Sequence, residues 1–358
     1  MKIFYVAAKY DYGDPARGHS FEHYNFYDSL VKMNGGENEV VYFPFDEIIL
    51  KYGKEKMNKK LLETVVAEEP DLCFFILTGE QIKKETVKKI THQQKIITLN
   101  WFCDDSWRFD NFSKYWAPFF SWVVTTDYEA IKKYQKIGYK NAIKSQWACN
   151  HFLYRPVSSK KRCDVAFIGQ PHSDRVEIVE KIKNSGIKIE TWGKGWPNGR
   201  ISQEDMIKVF SESKINLNLS KGSLSNIPRS LMRILLERSK NKRVRFRNPK
   251  YWIGEFKSFL GKKRNQIKGR NFEILGCGGF LITEKANDIK SYYESGKEII
   301  TYESLGDLIK KIKYYLKNEK EREKIAMAGY ERTLKEHTYE KRFNKIFKTI
   351  GFGDTANI

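Results

Sequence analysis

Cysteine is scarce in this chain of 358 residues. The five cysteines are scattered along it: Cys73, Cys103, Cys149, Cys163 and Cys277. An odd number without a C-x-x-C pair argues against a disulfide framework and against a zinc site built from cysteines. No apolar run approaches the roughly 20 residues that a membrane-spanning helix needs. The apolar run near Met1 is too short for a secretory signal, and we therefore expect a cytoplasmic protein.

Acidic residues are outnumbered by basic ones, with 44 Asp and Glu against 65 Lys and Arg, which leaves a net charge of +21. A field of this sign attracts nucleotides, phosphosugars, anionic lipid surfaces and nucleic acid, and it does not distinguish among them. A lysine-rich surface that only provides solubility is the simpler interpretation of much of this excess. The length and an apolar fraction of 41% suit two domains, each with its own core.

Short apolar segments alternate with helix-forming segments along the first half of the chain. The predicted strands are Ile3–Ala8, Val40–Phe43, Asp71–Leu77, Lys95–Asn100 and Trp122–Thr125. The predicted helices between them include Phe21–Met33, Glu55–Ala67 and Glu80–Ile90. Since continuously apolar strands that alternate with helices are typical of parallel sheets, this half predicts a Rossmann-like domain.

The alternation begins again after a stretch rich in serine and basic residues at 153–161, which we interpret as a linker. The predicted strands of the second half are Cys163–Ile168, Ile187–Thr191, Ile215–Leu219 and Phe280–Thr283. The sequence therefore predicts an α/β protein with two facing Rossmann-like domains, residues 1–152 and 162–336, and a central ligand cleft. Helices dominate the C-terminal tail, and residues 337–358 are expected to pack back toward the N-terminal domain.

Residues 222–265 interrupt the second domain with an unusually basic segment. From Arg229 to Arg270 there are 15 Lys and Arg but only two acids, Glu237 and Glu255. Aromatic and aliphatic residues are interleaved with these charges. Three interpretations stay open: a solvated helical excursion, a surface for an anionic acceptor or a layer of membrane headgroups, and a nucleic-acid-binding surface.

The strongest chemical signal is the segment QIKGRNFEILGCGGFLITE at 266–284. A basic loop leads into a short helix, and two glycines then release the chain into a strand. N–H groups at the helix start, with Lys268 and Arg270 beside them, are suited to a diphosphate. Glu273 can accept two hydrogen bonds from a ribose diol, or it can simply complement the helix dipole. Spacing alone does not separate these two interpretations.

This segment resembles the hallmark of the glycosyltransferase group that includes CgeB-like spore-maturation proteins. That group is similar to the C-terminal domains of family-4-type GT-B enzymes. The resemblance continues in CDVAFIG at 163–169, in SKINLNLS at 213–220 and through the tail from GKEIITYES onward, so it covers most of Cys163–Phe343. It implies the GT-B fold and a glycosyltransferase that uses a nucleotide-diphosphate sugar with retention of configuration.

The resemblance also implies roles for individual residues. Glu273 would bind the ribose, while Lys268, Arg270 and the loop amides would hold the diphosphate. The other residues that it places in donor binding are Gly18, Gly169, Arg175, Trp192, Gly193, Ser220, Asn271 and Phe272. Asn265 stands where many family-4-type enzymes carry a second glutamate, so the motif defines the contacts to the sugar less well.

The N-terminal domain is expected to supply the acceptor side. The resemblance places the loop Gly13–Ser20 under the donor diphosphate, so that His19 would face the reaction centre. Glu22 lies in the first turn of the next helix. Asp104 or Asp105 follows a strand end, where a carboxylate can act as a base or hold an acceptor hydroxyl, although each can equally be a cap or turn residue. The catalytic candidates are His19, Glu22 and Asp104.

No D-x-D motif is evident at a strand end, and we expect neither a metal ion nor another cofactor. The expected partners are a nucleotide-sugar donor and a glycan, lipid-linked or protein acceptor. Segment 229–270 could add an anionic acceptor or the inner face of a membrane, and less readily nucleic acid. Other functions stay open: glycosylation of modified DNA bases, epimerisation of a nucleotide sugar, and a non-enzymatic protein that binds nucleic acid or membranes.

Overall fold

The structure of the protein is a computed structural model that describes residues 1–157, 160–172, 174–220, 232, 234–238, 244–262 and 264–352. The chain forms two compact units. The first unit contains Met1–Gln146 and Tyr339–Ile358, and the second contains Trp147–Thr338. The chain thus divides at residues 146 and 338, whereas the sequence places the linker at 153–161 and the end of the second domain at 336.

The first unit is built on a six-stranded parallel sheet with the order β2-β1-β3-β4-β5-β6. The strands are β1 (Lys2–Ala7), β2 (Glu39–Pro44), β3 (Leu72–Phe75), β4 (Ile97–Phe102), β5 (Trp122–Thr125) and β6 (Ala142–Lys144). Nearly all side chains of β1 and all of β3 are buried, as expected for strands covered on both faces.

The second unit is built on a five-stranded parallel sheet with the order β13-β12-β9-β7-β8. The strands in chain order are β7 (Cys163–Ile168), β8 (Ile189–Trp192), β9 (Ser213–Asn218), β10 (Leu236–Arg238), β11 (Val244–Phe246), β12 (Leu281–Glu284) and β13 (Ile300–Tyr302). β10 and β11 form a separate antiparallel pair. The switch point of this sheet lies at β7, and the carboxyl ends of its five strands meet at one edge.

Helices follow the strands in both units. In chain order they are α1 (Asp28–Lys32), α2 (Phe45–Glu68), α3 (Lys84–Lys88), α4 (Asp105–Arg108), α5 (Tyr128–Lys136), α6 (Arg175–Asn184), α7 (Gln203–Glu212), α8 (Trp252–Lys262), α9 (Gly269–Gly276), α10 (Leu305–Lys317), α11 (Glu319–Glu336) and α12 (Tyr339–Thr349). Helix α12 belongs to the first unit. The rings of Tyr339 and Phe343 lie 4.9 and 5.7 Å from the ring of Phe26, so aromatic packing holds this helix in place.

The predicted helix Phe21–Met33 is not a single α-helix. It begins with a π-helical turn over His23–Tyr27, and α1 follows. The rings of His23 and Tyr27 lie 5.8 and 4.6 Å from the ring of Tyr42 in β2. The wider π-helical turn therefore presents both rings to the same strand. A regular α-helix would place the two side chains at a different angle around the helix axis.

The basic excursion is only partly helical in the structure. Leu236–Arg238 pairs with Val244–Phe246 as a hairpin, and α8 follows it. The local order Val-Arg-Phe-Arg at 244–247 alternates apolar and charged residues, which favours a strand over a helix. Residues 222–231, 233, 239–243 and 263 of this excursion lie outside the described residues.

Candidate functional site

The first turn of α9 is fixed at the carboxyl edge of the second sheet. The buried side chain of Asn271 accepts a hydrogen bond from the Asn218 amide at the end of β9 and donates one to the Thr283 hydroxyl in β12 at 3.5 Å. The same oxygen of Asn271 accepts from the backbone N–H of Lys268 at 3.3 Å. Helix starts present N–H groups that have no partner inside the helix, so this turn is suited to an anion.

Two cations, Lys268 and Arg270, lie at this helix start. Nη1 of Arg270 is 2.7 Å from Oε2 of Glu273, and the guanidinium carbon lies 5.4 Å from the centre of the Phe210 ring. This stacking orients the planar guanidinium group. The amine of Lys268 donates to the side-chain oxygen of Gln266. Positive charge is therefore concentrated beside the N–H groups of the turn, as diphosphate binding requires.

The carboxylate of Glu273 is only 2% exposed. Its Oε1 accepts a hydrogen bond from the hydroxyl of Tyr154 at 2.9 Å, and its Oε2 faces Arg270. A buried carboxylate requires such partners, because the loss of hydration is otherwise too costly. Tyr154 is not among the residues predicted from the sequence, because it lies 119 residues earlier in the chain and inside the expected linker.

The turns after β7 and β8 approach each other closely through glycines. Gly193 has a φ of +138°, and a Cβ at this position would lie 2.4 Å from the carbonyl oxygen of Gly169. The N–H of Gly169 donates to the Trp192 carbonyl at 2.8 Å, and the indole of Trp196 donates to the Gly169 carbonyl at 2.7 Å. Trp196 is thus a buried support for the turn, whereas Trp192 is half-buried.

The guanidinium of Arg175 holds two of these loops together. It donates to the carbonyl of Leu219, after β9, at 2.6 Å and to the carbonyl of Gln170, after β7, at 3.1 Å. Burial lowers the pKa of Arg175, and the nearby Glu284 acts in the opposite direction. Arg175 therefore fixes the backbone at the carboxyl edge, in addition to any contact with a ligand.

Glu284 is a buried carboxylate at this edge that the sequence reasoning missed. It ends β12, and one of its oxygens accepts from both the N–H and the hydroxyl of Ser220 at 2.6 Å each. Burial and the charge of Glu284 raise the pKa of Tyr302 on the neighbouring strand β13. A signal was present, since an acid that ends a strand of a parallel sheet lies at its ligand-binding edge.

Two positions named from the sequence make structural contacts in the second unit. The side chain of Phe272 is fully buried, with ring centres 6.1 Å from Tyr292 and 5.9 Å from His337, so it contributes to the core rather than to a ligand surface. Asn265 donates from its side-chain amide to the Lys285 carbonyl at 2.9 Å. In this structure Asn265 therefore joins two segments of backbone.

In the first unit, the loop after β1 is held by Asp46. The carboxylate of Asp46, in the first turn of α2, accepts from the N–H groups of Lys9 and Tyr10 at 2.9 Å each. Gly18 has a φ of +79°, and both Gly18 and His19 are exposed. Asp46 was not predicted from the sequence, because it lies more than 30 residues beyond the loop that it supports.

Glu22 and Asp104 lie within electrostatic reach of each other. Burial raises the pKa of the Glu22 carboxyl, and the negative charges of Asp11 and Asp104 raise it further. The rings of His19 and His23 are 4.1 Å apart. Burial, with a smaller effect of His19, lowers the pKa of His23 to about 4. The loop after β1 thus brings carboxylates and imidazoles to one end of the first sheet.

The structure distinguishes Asp104 from Asp105. Asp105 is fully buried and accepts a hydrogen bond from the Tyr134 hydroxyl at 2.8 Å, and burial raises its pKa to about 6. Asp104 is half-buried, and its carbonyl accepts from the N–H groups of Trp107 and Arg108 at the start of α4. Of the two, Asp104 is therefore the more accessible carboxylate.

Comparison with known proteins gives a family match over most of the second unit and into the helix that follows it. Residues 175–348 match the family described as glycosyl transferase-like, and this range runs from α6 into α12 and contains α9. Spore protein CgeB of Bacillus subtilis (strain 168) is 20% identical over 237 residues. That alignment covers 61% of this chain and 64% of CgeB, so the chain spans less than two thirds of the length of this relative.

Two solved structures are similar over nearly the whole chain. Sucrose-phosphate synthase from Thermosynechococcus elongatus has a TM-score of 0.60 at 9% identity, with 98% of each chain covered. HepE from Anabaena, in complex with UDP-glucose, has a TM-score of 0.56 at 11% identity, with 98% of this chain and 99% of HepE covered. At such identities the likeness concerns the fold, which is the GT-B fold. The comparisons thus show the GT-B fold, and residues 175–348 are similar to glycosyl transferase-like proteins.

Proposed function

We propose that the protein transfers a sugar from a nucleotide-diphosphate donor to a hydroxyl group of an acceptor, and that the second unit binds the donor. The observation that carries this proposal is the anchored start of α9, with Lys268 and Arg270 beside its N–H groups at the carboxyl edge of the sheet. HepE, which has the same fold, was solved with UDP and with UDP-glucose, and this supports a uridine nucleotide as the first donor to test.

The leaving group of this reaction is a nucleoside diphosphate, which gains negative charge as the bond between its terminal phosphate oxygen and the anomeric carbon of the sugar breaks. Lys268, Arg270 and the helix N–H groups stabilise that charge because they are already in place. Glu273 binds the ribose diol through its carboxylate, which accepts hydrogen bonds from the ribose hydroxyls. These bonds form beside those from Tyr154 and Arg270 or replace them. The proposal requires no metal ion held by the protein, since these groups supply the positive charge.

The first unit supplies the acceptor side in this proposal. Glu22 and Asp104 orient the acceptor hydroxyl, and burial raises the pKa of Glu22, which makes its carboxylate a stronger proton acceptor. The acceptor is a glycan, a lipid-linked glycan or a protein. We propose that the anomeric configuration is retained, which can be determined from the anomeric proton coupling of the product by NMR.

A thermal-shift screen of the full chain against nucleoside diphosphates and their sugars tests the donor. A ligand that binds only the native state increases the free energy of unfolding, by about 2.7 kcal/mol at 100 times its Kd. The melting temperature rises as a consequence. We expect one nucleotide family to raise it and the corresponding sugar donor to be slowly hydrolysed without acceptor. No shift with any nucleotide would contradict the proposal. A sugar epimerised without acceptor would instead indicate a nucleotide-sugar epimerase, and transfer only to DNA would indicate a base-modifying enzyme.

A further inference from the structure

Helix α8 shows an apolar face to solvent. Ile253, Phe256 and Leu260 are 70%, 48% and 45% exposed, and their spacing places them on one side of the helix. On another side, Ser258 and Phe259 are buried, so the helix packs on the second unit through a different face. Three large apolar side chains in one stripe are more than the isolated exposed residues that are normal on protein surfaces.

The hairpin before α8 also carries exposed apolar side chains. Val244 and Phe246 of β11 are exposed, and Phe246 is 79% exposed. Arg247 joins the hairpin to the helix, because its carbonyl accepts from the Trp252 indole at 2.9 Å and its guanidinium lies 3.0 Å from the Glu255 carboxylate. We call the exposed residues together the apolar patch: Val244, Phe246, Ile253, Phe256 and Leu260.

The apolar patch lies in a strongly basic part of the chain. Between residues 244 and 264 there is one acid, Glu255, which is paired with Arg247. The same range contains seven basic residues: Arg245, Arg247, Lys250, Lys257, Lys262, Lys263 and Arg264. Among the described residues of this range, Arg245, Lys257 and Arg264 are exposed. A surface that combines exposed aliphatic and aromatic side chains with such cations is complementary to a phase that is both apolar and anionic.

We propose that the apolar patch inserts into the headgroup region of an anionic lipid bilayer, with the surrounding Lys and Arg contacting the lipid phosphates. Interfacial helices combine these properties, an apolar stripe with basic residues around it. Nucleic acid would bind the cations but would leave Ile253 and Leu260 in water, since phosphates and sugars do not bury aliphatic groups. Within the described ranges no helix is long and apolar enough to span a membrane.

Co-sedimentation of the full chain with vesicles tests this proposal, which is independent of the donor chemistry. The vesicles contain phosphatidylcholine alone, or phosphatidylcholine mixed with phosphatidylglycerol. We expect binding to the mixed vesicles only, with weaker binding at high salt. The double variant Ile253→Asp/Phe256→Asp should lose at least about tenfold in partitioning, since it adds charge where apolar contact is needed. The matched control is Met327→Asp on α11, where Met327 is 56% exposed, and it should bind like the wild type.

A second variant separates loss of the contact from loss of folding. Lys257→Gln/Lys262→Gln leaves the apolar patch intact, and each lost charge should weaken partitioning about fivefold. Three results would overturn the proposal: no binding of the wild type to the mixed vesicles, unchanged binding of both double variants, or equal loss in Met327→Asp. Salt-sensitive binding to duplex DNA without binding to vesicles would also overturn it and would assign the surface to nucleic acid.

Discussion

Nη1 of Arg270 lies 2.7 Å from Oε2 of Glu273, one turn further along α9, while the Tyr154 hydroxyl binds the other carboxylate oxygen at 2.9 Å. Glu273 is thus a buried anion held between a cation and a phenol. In the proposed donor complex the same Arg270 also meets the diphosphate. The ion pair therefore connects the two parts of the nucleotide that the second unit is proposed to bind.

Arg270→Ala should weaken UDP binding by ~1–3 kcal/mol, which is about 5- to 150-fold in Kd, because a charge-assisted contact is lost and Glu273 loses its cation. Isothermal titration calorimetry measures this directly. Arg332→Ala is the matched control, since Arg332 is also paired with a glutamate on its own helix, Glu336 at 2.7 Å. Wild-type affinity in Arg270→Ala would remove this residue from the donor site.

Gly193→Ala should destabilise the second unit by roughly 2–4 kcal/mol, because its Cβ would lie 2.4 Å from the carbonyl oxygen of Gly169 at a φ of +138°. Gly186→Ala is the control, since Gly186 also has a positive φ of +82° but nothing within 4 Å of an added Cβ. It should cost only about 1 kcal/mol. Urea unfolding measures both. Equal effects would mean that the close approach of the two turns is not needed for folding.

Asp105 should make stability depend on pH. Its pKa is raised from 3.8 to about 6 by burial, so the native state favours the protonated form. The contribution of this group to the free energy of unfolding is fully present below about pH 4 and is lost as the pH rises through about 6. The total loss is up to about 3 kcal/mol. In urea unfolding across this range, Asp105→Asn should lack the decrease. Tyr134→Phe should enlarge the decrease and extend it to higher pH, because the Tyr134 hydrogen bond lowers the pKa of Asp105. An identical pH profile in all three proteins would contradict the assignment.

Glu22→Gln should lower kcat for sugar transfer by roughly 10²-fold while the Kd for UDP stays the same, because Glu22 is proposed to act on the acceptor and not on the donor. The raised pKa of Glu22 adds a pH effect, and the wild-type rate should fall as the pH drops through it. Glu63→Gln is a suitable control, since Glu63 is an exposed carboxylate of α2 paired with Lys59. A normal kcat in Glu22→Gln would exclude the role.

Much of the fold could be predicted from the sequence because most strands are buried and therefore continuously apolar. The segments at β3, β5 and β7 are examples. The alternation of strands with helices predicted that the strands of each sheet run parallel. β6 was missed, since Ala142–Lys144 is short and half-buried. The hairpin in the basic excursion was missed because charge dominated its composition and hid the alternation at 244–247.

Only those residues of the candidate donor site that are close together in the sequence could be predicted. The basic turn at Lys268 and Arg270 is contiguous in sequence, so its chemistry can be read from the residues alone. The partners that fix it come from distant segments: Asn218 lies 53 residues from Asn271, and Tyr154 lies 119 residues from Glu273. Spacing carries no information about such pairs, because only the folded sheet brings β9, β12 and α9 together.

A crystal structure of the full chain with UDP is the most direct test of the donor site. The proposal predicts that the diphosphate lies against the backbone N–H groups at the start of α9, in contact with Arg270, and that the ribose hydroxyls reach the carboxylate of Glu273. Diphosphate bound elsewhere on the second unit, or on the first unit with α9 unoccupied, would contradict it.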